Sequence, residues 1–184
     1  MTYFNLPGKN NSEEVRDLVL EYAKNNNIKY LVVASNSGET MDLFVNSGIE
    51  LVCVTHQIGF REPGVDEMDE DKREEYNKLG VKVLTTTHLM GGIERAALRK
   101  NGGNGIQNIT ANTLRMFGQG TKVCAEIAVM ALDAGMIPYG EDIIAVGGSG
   151  KGADTAWVLR PEHSHKFFDT QMKELICKPR ELKK

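Results

Sequence analysis

The chain has 184 residues, 41% of them hydrophobic and 26% charged, with a formal net charge of -3. That length allows one domain with a real core, and the composition is that of a folded globular protein. No cluster of Lys or Arg has the extent of a nucleic-acid footprint, and no apolar run reaches the length of a membrane span.

The first residues, MTYFNLPGKNNSEE, lack the basic-then-apolar order of a signal peptide. Asn11, with Glu14 three residues on, predicts a capping box. The helix that follows puts Val15, Leu18, Val19, Tyr22 and Ala23 on one face. YLVVA, Tyr30 to Ala34, is apolar throughout, as a strand covered on both faces is. A helix is expected from Glu39 to Asn46, stopping at Gly48. IELVCVTH is a second buried strand. The polar stretch after it begins as a loop and ends as an acidic helix closing near Leu79-Gly80. VKVLTTTH is a third strand. GGIERAALRK, ITANTLRMF and TKVCAEIAVMALDAG read as three helices separated by glycines. EDIIAVGG and TAWVLRP are the last two strands, and FFDTQMKELICKPRELKK reads as a short helix with a frayed end.

Strands alternating with helices predict an α/β sandwich of three layers, with helices on both faces of a mostly parallel five-stranded sheet. Only SGKGAD separates the last two strands, too short for a parallel crossover, so an antiparallel edge strand is expected. No linker or repeat divides the chain, and residues 1–184 are read as one domain. Cys53, Cys124 and Cys177 are odd in number and widely spaced, which fits neither a disulfide frame nor a zinc site. A cytoplasmic location is the natural reading.

In a parallel sheet, ligands sit beyond the carboxyl ends of the strands. Four stretches fall there. The first is Ser35-Asn36-Ser37-Gly38-Glu39-Thr40. Its free N–H groups and hydroxyls suit one phosphate. The same residues also fit a plain capped helix, with Asn36 as the cap and Glu39 as its partner, and local sequence does not separate the two. The second is GGSGKGADT. It fails both nucleotide fingerprints, because Lys151 is followed by Gly152 and a strand follows instead of a helix. It is either a glycine hairpin or an anion nest built from Gly147, Gly148, Lys151, Asp154 and Thr155. The third is THQIGFREPG, where Thr55, His56, Gly59 and Phe60 could cover a planar ring. The fourth is Thr85-Thr86-Thr87-His88, of which Thr87 and His88 lie on the ligand edge. DEMDED lacks calcium-loop spacing, and the four histidines show no zinc motif, so no metal site is expected.

Two of these stretches carry a family likeness. ALDAGMIPYGEDIIAVGG followed by GSGKGADTAWVLRP resembles the C-terminal domain of pyruvate kinases. VVASNSGETMDLF resembles that domain's first strand and phosphate turn, and IELVCVTH its second strand. The likeness runs from about Asn11 to Pro161. ASNSGET, GIERAALRK, TLRMFGQGTKVCAEIAVMALDAG and AVGGSGKGADTA are similar to stand-alone proteins built on this domain in archaea and anaerobic bacteria.

The resemblance implies the three-layer fold and flavin mononucleotide (FMN) in the strand-end pocket. The phosphate would lie in the Ser35–Thr40 turn, with the hairpin and the Thr55–Phe60 loop around the ring. It implies no pyruvate kinase activity, since the sequence carries no catalytic barrel. A flavin-dependent reductase with His56 or His88 as acid or base, or a sugar-phosphate sensor, are the alternative functions. GGIERAALRKNGGNGIQN has no counterpart in pyruvate kinases. The related domains meet at subunit interfaces, which implies a homo-oligomer, with Met116 and Phe117 supplying an apolar contact. No nucleic-acid or membrane partner is expected.

Overall fold

The computed structural model describes residues 1–182. Its strands are β1 (Thr2–Phe4), β2 (Tyr30–Ala34), β3 (Glu50–Thr55), β4 (Lys82–Thr85), β5 (Ile143–Gly147), β6 (Thr155–Arg160) and β7 (Gln171–Pro179). Its α-helices are α1 (Ser12–Asn26), α2 (Glu70–Lys78), α3 (Gly92–Asn101), α4 (Ile106–Arg115) and α5 (Gln119–Asp133). The strands form one sheet in the order β1-β7-β6-β5-β2-β3-β4.

Both faces of the sheet are covered, which is why its central strands are apolar at nearly every position. Along β2, Leu31 and Val33 join the core beneath α1 and α2, while Val32 joins the core beneath α5. Val15, Val19 and Ala23 of α1 are buried, with Leu18 and Tyr22 packed at their margins, as the spacing predicts. β2, β3, β4 and β5 run parallel, so Ala34, Thr55, Thr85 and Gly147 end on one edge.

The sheet has seven strands, not five, and the antiparallel strand is not at its edge. β6 pairs antiparallel with β5 as expected, but β7 pairs with its other side and β1 adds parallel to β7. The C-terminal segment expected to be helical is mostly this long strand, preceded by a 3-10 helix at Ser164–Asp169. One partner, β1, lies at the other end of the chain, and the 3-10 helix stands between β7 and the other, β6, so no tight hairpin turn announces the pairing.

The helix expected from Glu39 to Asn46 is only a 3-10 turn, Met41–Leu43. Met41 and Phe44 are both fully buried. Their spacing of three serves a 3-10 turn as well as an α-helix. The Asn11–Glu14 capping box does not form either. Asn11 ends a 3-10 turn, Lys9–Asn11, and its side chain donates to Leu6 O at 2.9 Å.

α3 buries none of its residues, and α4 buries only Ala111. They are joined by Glu94, whose carboxylate accepts the Asn108 N–H at 3.0 Å and caps the amino end of α4. Met116 and Phe117 are exposed at the end of α4. Among the described residues, no helix is long and apolar enough to cross a membrane.

Candidate functional site

The edge shared by the four parallel strands opens onto a cleft of about 790 Å3. The Ser35–Thr40 turn forms one wall. Ser35 N donates to Val54 O at 3.0 Å, continuing the β2–β3 ladder. The Ser35 hydroxyl then accepts the N–H groups of Thr40 at 3.2 Å and Met41 at 3.3 Å. Ser35 therefore does the capping expected of Asn36 and Glu39. Asn36 instead accepts the His56 N–H at 3.1 Å, and its amide lies 3.2 Å from His56 Nε2. Glu39 pairs with Lys9 at 2.7 Å in solvent.

Among the described residues, the N–H groups of Asn36, Ser37, Gly38 and Glu39 have no protein acceptor. Gly38 lies at φ 98°, and a Cβ there would meet Tyr76 Oη at 2.6 Å. Tyr76 is fully buried, and its hydroxyl lies 2.8 Å from both Gly38 O and Asp42 Oδ1. Burial, then Asp42, holds this phenol far above its usual pKa, so it stays protonated and braces the turn from behind. Gly38 thus faces α2 and does not line the cleft.

The β5–β6 hairpin forms the opposite lip through Gly148, Gly150, Lys151 and Gly152. Three predicted site residues lie behind it. A Cβ on Gly147 would stand 2.9 Å from Gly120 O, so this glycine serves the contact with α5. Asp154 is fully buried and accepts from Gly8 N at 3.0 Å, Ser149 N at 3.1 Å and the Thr155 hydroxyl at 2.7 Å. It ties the hairpin to residues 8–12 and faces no ligand space. That tie brings Lys9 to the turn, a residue with no local signal of a role.

A ring-bearing wall completes the cleft. His56 and Phe60 lie 3.9 Å apart between ring centroids, and His88 meets both edge-on at 5.2 Å. His56 Nδ1 lies 3.0 Å from Glu67 Oε1. With the Asn36 amide donating to Nε2, the proton sits on Nδ1. His88 is pushed down to about 4, chiefly by burial; Glu126 opposes this, and His56, Lys122 and Arg95 add to it. It is neutral at physiological pH. Thr55 lines the floor, and its hydroxyl lies 2.7 Å from that of Thr85. Gly59 closes its loop at φ 78° by donating to Val65 O, and Thr87 is exposed; neither lines the cleft.

Of the charged lining, sequence reasoning named only Lys151 and Glu39. Lys9, Arg61, Arg95, Arg115, Lys122 and Lys151 reach the cleft, against Glu39, Glu67 and Glu126. Three of the cations are paired: Lys9 with Glu39, Arg61 with Glu67, and Lys122 with Glu126. Among the described residues, Arg95, Arg115 and Lys151 have no carboxylate partner, so the lining keeps three unpaired positive charges. Lys122 and Glu126 were the one legible signal. They stand four residues apart inside an apolar helical run, TKVCAEIAVMAL, and their side chains are 6% and 4% exposed. Glu126 also accepts Met90 N at 2.8 Å. Burial lowers the Lys122 pKa; Glu126 opposes this, and Arg115 and Arg95 add to the lowering.

Residues 13–159 match the sequence family described as the pyruvate kinase alpha/beta domain. Among solved structures, the chain is similar to a pyruvate kinase from Cryptosporidium parvum, at 14% identity and a TM-score of 0.38. That match covers 80% of this chain and 22% of the other. Cryptosporidium parvum pyruvate kinase in complex with ADP matches at 15% identity and a TM-score of 0.41, covering 81% and 23%. The chain therefore spans less than a quarter of these enzymes' length.

Proposed function

We propose that this chain, which belongs to the pyruvate kinase alpha/beta-domain family, binds a phosphorylated small molecule, FMN, in the strand-end cleft. The observation that carries the reading is the set of unpaired N–H groups on the cleft-lining residues Asn36, Ser37 and Glu39, beside the Ser37 and Thr40 hydroxyls. Successive free amides in a turn form an anion nest. Hydrogen bonds to a charged group contribute about 1.5–3 kcal/mol each.

No α-helix of useful length follows the turn, so a helix dipole adds little. Lys151, which has no carboxylate partner among the described residues, supplies positive charge from outside the loop, while Lys9 offsets the charge of Glu39. The remainder of the residues fit a flavin. Phe60 is 39% exposed and offers a ring face backed by His56. His88, neutral and half-buried, closes that wall without a competing charge. A flavin, when bound, supplies electron-transfer chemistry; the side chains here bind, orient and shield it. A reducing cytoplasm suits Cys53, Cys124 and Cys177, all buried free thiols.

Fluorescence titration tests the proposal. FMN emission is expected to be quenched to saturation at one flavin per chain. Thr40→Ala removes a hydroxyl that lines the cleft and should weaken binding by about tenfold, the equivalent of one such hydrogen bond. A flavin signal that never saturates, or a Thr40→Ala variant that binds like the parent, overturns the reading.

A further inference from the structure

We propose that the α3–α5 end of the cleft is a second oxyanion subsite, formed by Arg95, Arg115 and Lys122 at the amino end of α5. It builds on the reading of the cleft as a ligand site but uses no atom of the Ser35–Thr40 turn.

Arg95 of α3, Arg115 of α4 and Lys122 of α5 all line the cleft. Both arginines are near enough to Lys122 to lower its pKa. Among the described residues, the one carboxylate paired with any of the three is Glu126, with Lys122. Among the described residues, Arg95 makes no side-chain hydrogen bond. Arg115 donates through Nε to Gln119 at 2.8 Å and through Nη1 to Asn112 at 2.9 Å, which leaves Nη2 unbonded. Lys122 is nine-tenths buried yet lines the cleft wall, and Glu126 divides its two oxygens between Lys122 and the Met90 N–H.

The backbone adds to this field. α5 starts after Gly118, at φ 120°, with no side-chain cap. Among the described residues, the N–H groups of Gln119, Gly120 and Thr121 have no protein acceptor. Because α5 runs back along the sheet into β5, its positive end lies at the same strand edge as the cleft.

Mutual repulsion of three cations around one carboxylate costs stability until an anion shares the site. Two guanidiniums select a planar or tetrahedral oxyanion, a carboxylate or phosphate, over a halide. The occupant is either the far end of the ligand whose phosphate sits in the turn or a separate small oxyanion beside it.

Amide chemical-shift titration with inorganic phosphate separates these cases. Residues 119–121 should shift and saturate, independently of residues 36–39. The Arg95→Ala/Arg115→Ala variant should bind at residues 119–121 at least tenfold more weakly, with residues 36–39 unchanged. Arg95→Gln gives a milder second variant, since Arg95 has no hydrogen bond to lose, and should weaken the same response. Movement at 119–121 but not at 36–39 supports this subsite and refutes the phosphate turn. Phosphate still titrating 119–121 after FMN saturation assigns a separate oxyanion, whereas blockage by FMN assigns the same ligand. Residues 119–121 that stay still, or that respond equally in the parent and both variants, overturn the proposal.

Discussion

Replacing Glu126 with Gln keeps an acceptor for the Met90 N–H but strips Lys122 of its counter-charge. The parent pair is almost wholly removed from water, at 6% and 4% exposure. Breaking one side of such a pair costs about 3–5 kcal/mol, because the remaining charge stays buried. For a chain of this size that corresponds to a fall in Tm of about 6–20 °C. Burial and two neighbouring arginines already hold the Lys122 pKa below its ordinary value, and losing Glu126 lowers it further.

The sign of the pH effect follows. Between the lowered folded pKa of Lys122 and the ordinary lysine pKa of the unfolded chain, the unfolded state binds a proton that the folded state has lost, so stability rises with pH across that window. Glu126→Gln should therefore carry its full penalty while Lys122 is charged and recover stability as the buffer is made alkaline. The uncharged double variant Lys122→Met/Glu126→Gln should regain most of the parent's stability, because it leaves no buried charge and keeps an acceptor for the Met90 N–H. Urea denaturation followed by circular dichroism, across pH, measures all three proteins. A Glu126→Gln loss under about 1 kcal/mol that does not vary with pH, or a double variant as unstable as the single one, refutes the reasoning.

Gly120 and His88 give two further predictions. A Cβ on Gly120 would stand 2.1 Å from Thr155 Oγ1, between α5 and β6. Gly120→Ala should cost about 1–3 kcal/mol through overpacking, and calorimetry would show it; a neutral result would place slack in that contact. His88 binds its proton in the folded state only near pH 4, against 6.5 when free. Its contribution is nil above pH 6.5, and stability falls as pH drops from 6.5 to about 4, since only the unfolded state gains the proton there. His88→Gln should flatten the stability curve in that window alone, and an unchanged curve would count against a buried, neutral His88.

The parallel core was legible because each strand's own residues report its burial. Tyr30–Ala34 is apolar at every position, and the observed strand has the same limits. The β5–β6 hairpin followed from the shortness of SGKGAD alone. β7 was not legible: a 3-10 helix and no tight turn joins it to β6, and its other partner, β1, lies at the far end of the chain. The candidate site divided in the same way. The turn and the residues His56, Phe60 and His88 stood out as polar or aromatic residues at strand ends, and all reach one cleft. Asp154 and Gly147 stood out by composition, yet they serve packing between loops and α5. Arg95 and Arg115 did not stand out at all. Arg95 is half-buried on α3 and Arg115 exposed on α4, and only the folding of those helices against the cleft makes them part of it.

Comparing FMN with riboflavin tests the central claim most directly, because the two differ only in the phosphate. If the Asn36, Ser37 and Glu39 amides and the Ser37 and Thr40 hydroxyls hold that group, FMN should bind at least about tenfold more tightly. Ser37→Ala/Thr40→Ala should narrow the difference by weakening FMN alone. Equal affinities for the two flavins, in parent and variant alike, would contradict the account.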